Sequence, residues 1–166
     1  MNTPTFFDNL IEALRDELQE YGGLLALFDE QQATILTGDP KGFLNLGPAV
    51  DEQIALVGGH RRRREELVRE LNQRIGRPET TKLTELLDEM PVQMKGMIKA
   101  LIDEINVLVT RTQRCLRQNR LLLARCIETA QKLSEIAGGG NVISTYGRAG
   151  MVHRSVLFSQ PRSAVA

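Results

Sequence analysis

Any chemistry in this chain would have to come from a short inventory. The sequence holds two histidines, two cysteines and several dense runs of arginine. His60 opens the run His60-Arg61-Arg62-Arg63-Arg64 and His153 lies near the C-terminus. Neither belongs to a Cys, Ser-Asp or paired-carboxylate pattern that would make it a general base. Cys115 and Cys126 fall on one predicted helix and share a face, but ~16 Å separates them, too far for a mutual disulfide. Both read as small hydrophobes in an apolar seam. Gly138-Gly139-Gly140-Asn141 follows a helix rather than a strand, so it is not a phosphate loop. No catalytic residue, metal ligand or cofactor site is assigned, and the chain reads as a non-enzyme.

Charges and hydrophobes remain. With 21 Lys+Arg against 21 Asp+Glu the net charge is zero. The balance is segregated: residues 1–40 carry eight acids and one base. An acidic first helix packed on more basic partners is the expected consequence. The run Arg61–Arg64 reads as a solvated face neutralised by Glu65, Glu66 and that first helix, with one Arg near the seam obliged to snorkel. Arg111, Arg114, Arg117 and Arg120 recur every three residues as a slowly winding basic ridge. Such a ridge could track phosphates, but no nearby aromatic offers base stacking. Pairing with the acidic first helix or an acidic client fits better, and no nucleic-acid partner is expected. Met90, Met94, Met97 and Met151 are adaptable apolar contacts.

The elements that must position these residues are helices. Leu is abundant, only 4% of residues are aromatic, and no Trp is present. That composition excludes a β-sandwich, a barrel or a doubly wound nucleotide enzyme. The first helix should span 4–37, with Thr3 as N-cap and Pro4 at the first helical position. Phe7, Ile11, Leu14, Leu18, Tyr21, Leu25, Phe28, Gln32 and Ile35 form its heptad seam. Leu10, Leu24, Leu27 and Leu36 widen the seam, as burial between two partner helices requires. Gly22-Gly23 predicts close helix approach rather than a break. Thr37-Gly38-Asp39-Pro40 is a turn.

A second helix over 41–76 should kink at Gly47-Pro48 and use Val50, Ile54, Val57, Val68, Leu71 and Ile75 as its seam. A third helical region over 80–137 should bend near 91–96. Its seam is placed through Leu83, Leu87, Met90, Met94, Met97 and Leu101, with a phase shift between Leu101 and Ile105. From Ile105 it continues through Leu108, Thr112, Cys115, Asn119, Leu122, Cys126, Thr129, Leu133 and Ile136. The expected fold is therefore all-α: an antiparallel up-down-up bundle over 1–137 with an extended last helix, followed by a Gly-hinged tail over 138–166. The tail is apolar and β-prone around Val142–Tyr146.

One length mismatch carries functional weight. At about 1.5 Å per residue the first helix spans ~45 Å, whereas Pro91–Ala137 spans ~70 Å. The bundle cannot cover the last helix throughout, and an uncovered aliphatic stripe needs a partner. No apolar run approaches the roughly 20 residues of a membrane-spanning helix, and no secretory signal is visible. A cytoplasmic protein without membrane insertion is expected.

Several segments, in order, carry a resemblance. Leu24-Leu25-Ala26-Leu27 precedes Gln31-Gln32, and Leu36-Thr37-Gly38-Asp39 stands at the first turn. Asp51-Glu52 is followed by Arg64, Leu67 and Leu71, and Gln118-Asn119 by Leu121-Leu122-Leu123. Tyr146-Gly147-Arg148-Ala149-Gly150 fits a Tyr-x-x-x-Gly after the last helix. Over residues 5–150 the sequence resembles the FlgN family of flagellar export chaperones. Gly58-Gly59 and Arg61–Arg64 depart from the family pattern, and residues 151–166 match nothing in it.

The resemblance implies a cytoplasmic helical chaperone without cofactor or catalysis. It would bind the C-terminal helical segment of hook-associated (hook–filament junction) proteins, prevent their premature assembly, and deliver them to the flagellar type III export apparatus. Asn119, Leu122, Leu123, Cys126, Leu133 and Ile136 are the expected client-binding residues. Tyr146 and Gly150 are the expected anchor for client or export platform. The alternatives are a self-associating helical scaffold, in which a homodimer covers the last helix, and a nucleic-acid-binding helical protein.

Overall fold

The computed structural model describes residues 3–138, 144–146 and 152–154. Three long helices dominate: α1 (Thr3–Thr37), α2 (Pro40–Ile75) and α3 (Val92–Gly138). A short antiparallel ribbon follows, β1 (Ser144–Tyr146) paired with β2 (Val152–Arg154), with Thr145 opposite His153. The chain divides inside α3 into two compact units, Met1–Leu122 and Leu123–Ala166.

In the first unit α1 and α2 are antiparallel because only Gly38 and Asp39 separate them. Gly38 adopts φ +68°, the left-handed region that ends a helix without a Cβ clash. Asp39 then caps α2: its carboxylate accepts from the Gly42 amide at 2.9 Å, and Pro40 supplies the preset first position. Gly22-Gly23 does not interrupt α1. At Gly23 a Cβ would meet the Gln53 side chain at 3.0 Å, and Gln53 Nε2 donates to the Glu20 backbone carbonyl at 3.0 Å. The missing side chain lets α2 reach the α1 backbone.

Two apolar clusters form the core. Phe6, Phe7, Leu10, Ile11 and Leu14 of α1 meet Val68 and Leu71 of α2, the leucines of the α2–α3 connection, and Ile98 and Ile105 of α3. Further along, Leu24, Leu25 and Phe28 meet Val50, Val57 and Cys115. The order of these contacts makes α1 and α3 parallel and α2 antiparallel to both, the expected up-down-up arrangement.

Between the clusters lies a polar layer. Glu17 falls at heptad steps from Leu10 and Leu24, and Arg64 at heptad steps from Val57 and Leu71. Glu17 is only 1% exposed and receives Arg64 Nε at 2.5 Å. Arg64 is the arginine that enters the seam. A charged pair at one layer fixes the register of α1 against α2, since sliding either helix by a turn would bury one charge without the other.

α2 continues as one helix through Pro48; Pro48 and Leu44 are both exposed, so water can take the place of the lost backbone bond. Four other expectations about the elements change. No α-helix forms over 80–91. Turns and a single 3₁₀ turn at Leu87–Glu89 occupy that span, between Pro78 and Pro91. Leu83, Leu86, Leu87 and Met90 have helical spacing, but the span is too short to overcome helix nucleation. The turns suffice to bury those leucines as a plug. Buried Asn72 ties the plug down by donating its amide to the Thr81 carbonyl at 3.0 Å. Leu36, expected in the widened seam of α1, is exposed, as is Ile54 of α2.

The fourth change concerns α3. Met97 is exposed and Ile98 is fully buried. With Ile98 in the seam, the steps from Met94 through Leu101, Ile105, Leu108, Thr112, Cys115 and Asn119 to Leu122 alternate regularly, and the expected phase shift disappears. The same alternation runs on through Cys126, Thr129 and Leu133 to Ile136. α3 therefore presents one unbroken heptad seam.

Candidate functional site

Burial along that seam changes abruptly. Ile98, Ile105, Thr112, Cys115 and Asn119 are buried, whereas no residue from Arg120 to Ala137 is. Leu122 and Leu123 are half-buried and Cys126 is exposed. Leu133 is 61% and Ile136 83% exposed. Half-buried Ile127, one turn after Leu123, lies beside Leu123 on the flank next to this stripe, and its signal was the i+4 step from Leu123. The other flank of this stretch is polar, with Lys132 Nζ donating to Glu128 Oε1 at 2.8 Å. A helix with one apolar and one charged side, and large aliphatics in water, is built to be covered.

Asn119 does not belong to this stripe. It is 4% exposed, and its Nδ2 donates to the Phe28 carbonyl at 2.7 Å. Its amide is occupied in locking α3 to α1, which removes it from the expected client-binding set. Sequence spacing placed it in the seam correctly but could not say which seam residues lie under the neighbouring helix. Tyr146 pairs with Val152 in the ribbon, and its side chain is outside the described residues. Gly150 is outside them altogether, and His153 is described only as backbone in β2.

The two cysteines part company. Cys115 is buried and its thiol donates to Asp29 Oδ1 at 3.3 Å. Burial first, then the Asp29 carboxylate, pushes this thiol up to about 11. Because the unfolded thiol ionises at about 8.5, the unfolded state releases this proton first, and stability falls as pH rises from there toward 11. Cys126, expected in the same seam, is exposed. A maleimide is expected to label Cys126 in the native protein and Cys115 only after unfolding, which mass spectrometry of timed samples would check.

The basic runs also separate. Arg63 reaches Glu12 and Asp16 of α1 at 3.2 and 3.1 Å, Arg64 reaches Glu17, and Arg61 pairs with Glu65 at 2.8 Å. His60 Nδ1 stands 3.7 Å from Asp16 Oδ2. The acidic helix therefore pairs with Arg63 and Arg64 of α2, while Arg61 is paired within α2. α1 does not neutralise the ridge on α3: Arg111, Arg114, Arg117 and Arg120 are exposed with no carboxylate within 4.0 Å among the described residues. Pairing of that ridge with α1, expected from the charge segregation, is corrected accordingly. Among the described residues no three His, Cys, Asp or Glu side chains gather to hold a metal, and no helix is long and apolar enough to cross a membrane.

The family model described as FlgN protein matches residues 1–154. The chain belongs to the FlgN family. That match runs through the three helices and the ribbon, and FlgN proteins are flagellar export chaperones. No curated protein and no solved structure matches the chain at a significant level. Membership gives this FlgN protein its general role, that of a flagellar export chaperone.

Proposed function

We propose that this FlgN protein acts in the cytoplasm as the export chaperone of hook-associated proteins, holding the C-terminal helical segment of an unassembled client along the exposed stretch of α3. The observation that supports this reading is the seam itself: one heptad register, buried as far as Asn119, half-buried at Leu122 and exposed from Cys126 to Ile136. A client helix with its own apolar stripe would continue the packing already present in the bundle. Leu122, Leu123, Cys126, Leu133 and Ile136 then form the contact, and burying about 800 Å² on each partner would make the complex specific. While covered, the client's coiled-coil segment cannot pair with its axial neighbours, and release at the export apparatus frees it. Tyr146 and Gly150 are the proposed anchor for client or platform.

Cys126 gives a test that needs no substitution. The C-terminal segment of a hook-associated protein, added at saturation, should slow maleimide labelling of Cys126 at least tenfold and leave Cys115 unlabelled. Labelling at an unchanged rate would remove the exposed seam from the client site. Protection that grows instead with the concentration of the chaperone alone, with a dimer seen by light scattering, would favour self-association.

A further inference from the structure

α3 has a second uncovered side, and its chemistry differs from the seam. From Ile105 to Leu122 the sequence holds four arginines and no Asp or Glu. Val107, Arg114 and Leu121 stand seven residues apart and so lie on one line along the helix, turned away from Leu108, Thr112, Cys115 and Asn119. Val107 is 56% and Leu121 53% exposed, although both are large aliphatics. Arg111, Arg117 and Arg120 flank that line, and all are exposed.

The contrast with α2 is informative. There five of the six arginines, Arg61, Arg63, Arg64, Arg69 and Arg74, stand within 4.0 Å of a carboxylate, and Arg62 has none among the described residues. Arg111, Arg114, Arg117 and Arg120 of α3 have none among the described residues, so their charges are uncompensated. We propose that this outer face of α3, formed by Val107, Arg111, Arg114, Arg117, Arg120 and Leu121, docks an acidic amphipathic helix of a partner protein.

Three observations favour a helix over a nucleic acid. Val107 and Leu121 lie ~21 Å apart along the axis, a spacing that apolar residues two heptads apart on a partner helix would match. A phosphate backbone would leave both wet. No aromatic side chain stands on this face to stack a base. The same unit also carries the acidic α1, whose field opposes a polyanion charged at every nucleotide more strongly than a short helix with a few carboxylates. Arginine is suited to the task because its planar fork binds carboxylates in pairs.

The test uses the full chain and two synthetic peptides of about 21 residues. One is an amphipathic helix of Leu and Glu in heptads, and its twin carries Gln for every Glu. By fluorescence anisotropy at low salt the Glu peptide should bind at least tenfold tighter than its twin, and the preference should shrink as salt rises. A variant combining R111Q, R114Q, R117Q and R120Q should lose that preference while circular dichroism stays unchanged, because these side chains make no ion pairs among the described residues. V107S with L121S should weaken the Glu peptide at least tenfold, less than for two fully exposed aliphatics because Val107 and Leu121 are already about half covered in the free chain. A Leu133→Asp variant, which strikes the seam, should leave this binding intact, so failure here and failure of the client reading are distinguishable. Equal binding of the two peptides would overturn the proposal, and should the arginine variant fail to fold, that comparison on the unmodified chain still decides it. Tighter binding of a 20-nucleotide single-stranded RNA than of the Glu peptide would overturn it in favour of a nucleic-acid face. Oligomers of the chain that the Glu peptide cannot dissociate would overturn it in favour of self-association.

Discussion

Replacing Leu133 and Ile136 together by Asp should reduce affinity for the hook-associated client segment by a thousandfold or so, without lowering the unfolding midpoint of the chaperone. Each aliphatic removed from a covered contact forfeits about 2 kcal/mol, and a carboxylate placed there adds a desolvation penalty. A loss above about 4 kcal/mol is a thousandfold in Kd. The unbound protein should not notice, because both side chains already stand mostly in water and Asp on an exposed helix costs only a few tenths of a kcal/mol in propensity. Calorimetric titration with the client segment, paired with a urea melt of the free chaperone, separates the effects. Client affinity within threefold of the parent would place the site elsewhere. A large fall in the melt would mean that the stripe is packed within the protein itself.

The second large effect lies in the polar layer of the bundle. Arg64→Met should destabilise the protein by about 3–5 kcal/mol, the magnitude for stripping the partner from a buried charge. It leaves the Glu17 carboxylate, 1% exposed, facing apolar neighbours. Glu17→Leu should cost much less, because Arg64 is 24% exposed and its guanidinium can turn to water on its flexible stem. The double variant should recover most of the loss and could exceed the parent in stability. What it should lose is register: α1 could slide by a turn against α2, broadening amide resonances of Leu10, Leu24 and Val57. Urea midpoints of the three variants test the energetic order. Equal losses for the two single variants would mean the pair behaves as a surface ion pair.

These outcomes divide between what the residues dictate locally and what packing decides. Helix identity is written in the chain. The heptad steps from Phe7 to Ile35, the Gly38-Asp39-Pro40 turn and the Leu-rich stretch after Val92 are local signals, and each formed as its spacing requires. The family resemblance was equally legible, since it rests on short ordered motifs.

Choices between adjacent residues were not. Met97 and Ile98 are both apolar and a single residue apart, so periodicity alone could place the seam through either. Only the facing α1 side chains select the stiff, branched Ile for burial. Leu83 to Met90 carry helical spacing yet fold as turns, because plugging the end of the bundle gains more than one or two turns of helix would.

Asn119 and Leu133 occupy the same seam in the same register. The sequence alone determined that register, along with the three helices and the excess length of the third. Only the tertiary structure decided where cover ends, because burial depends on which neighbour lies alongside and not on which residue recurs. That is why Glu17 could be buried within an acidic helix, why the ridge from Arg111 to Arg120 has no carboxylate partner among the described residues, and why Leu133 and Ile136 face water.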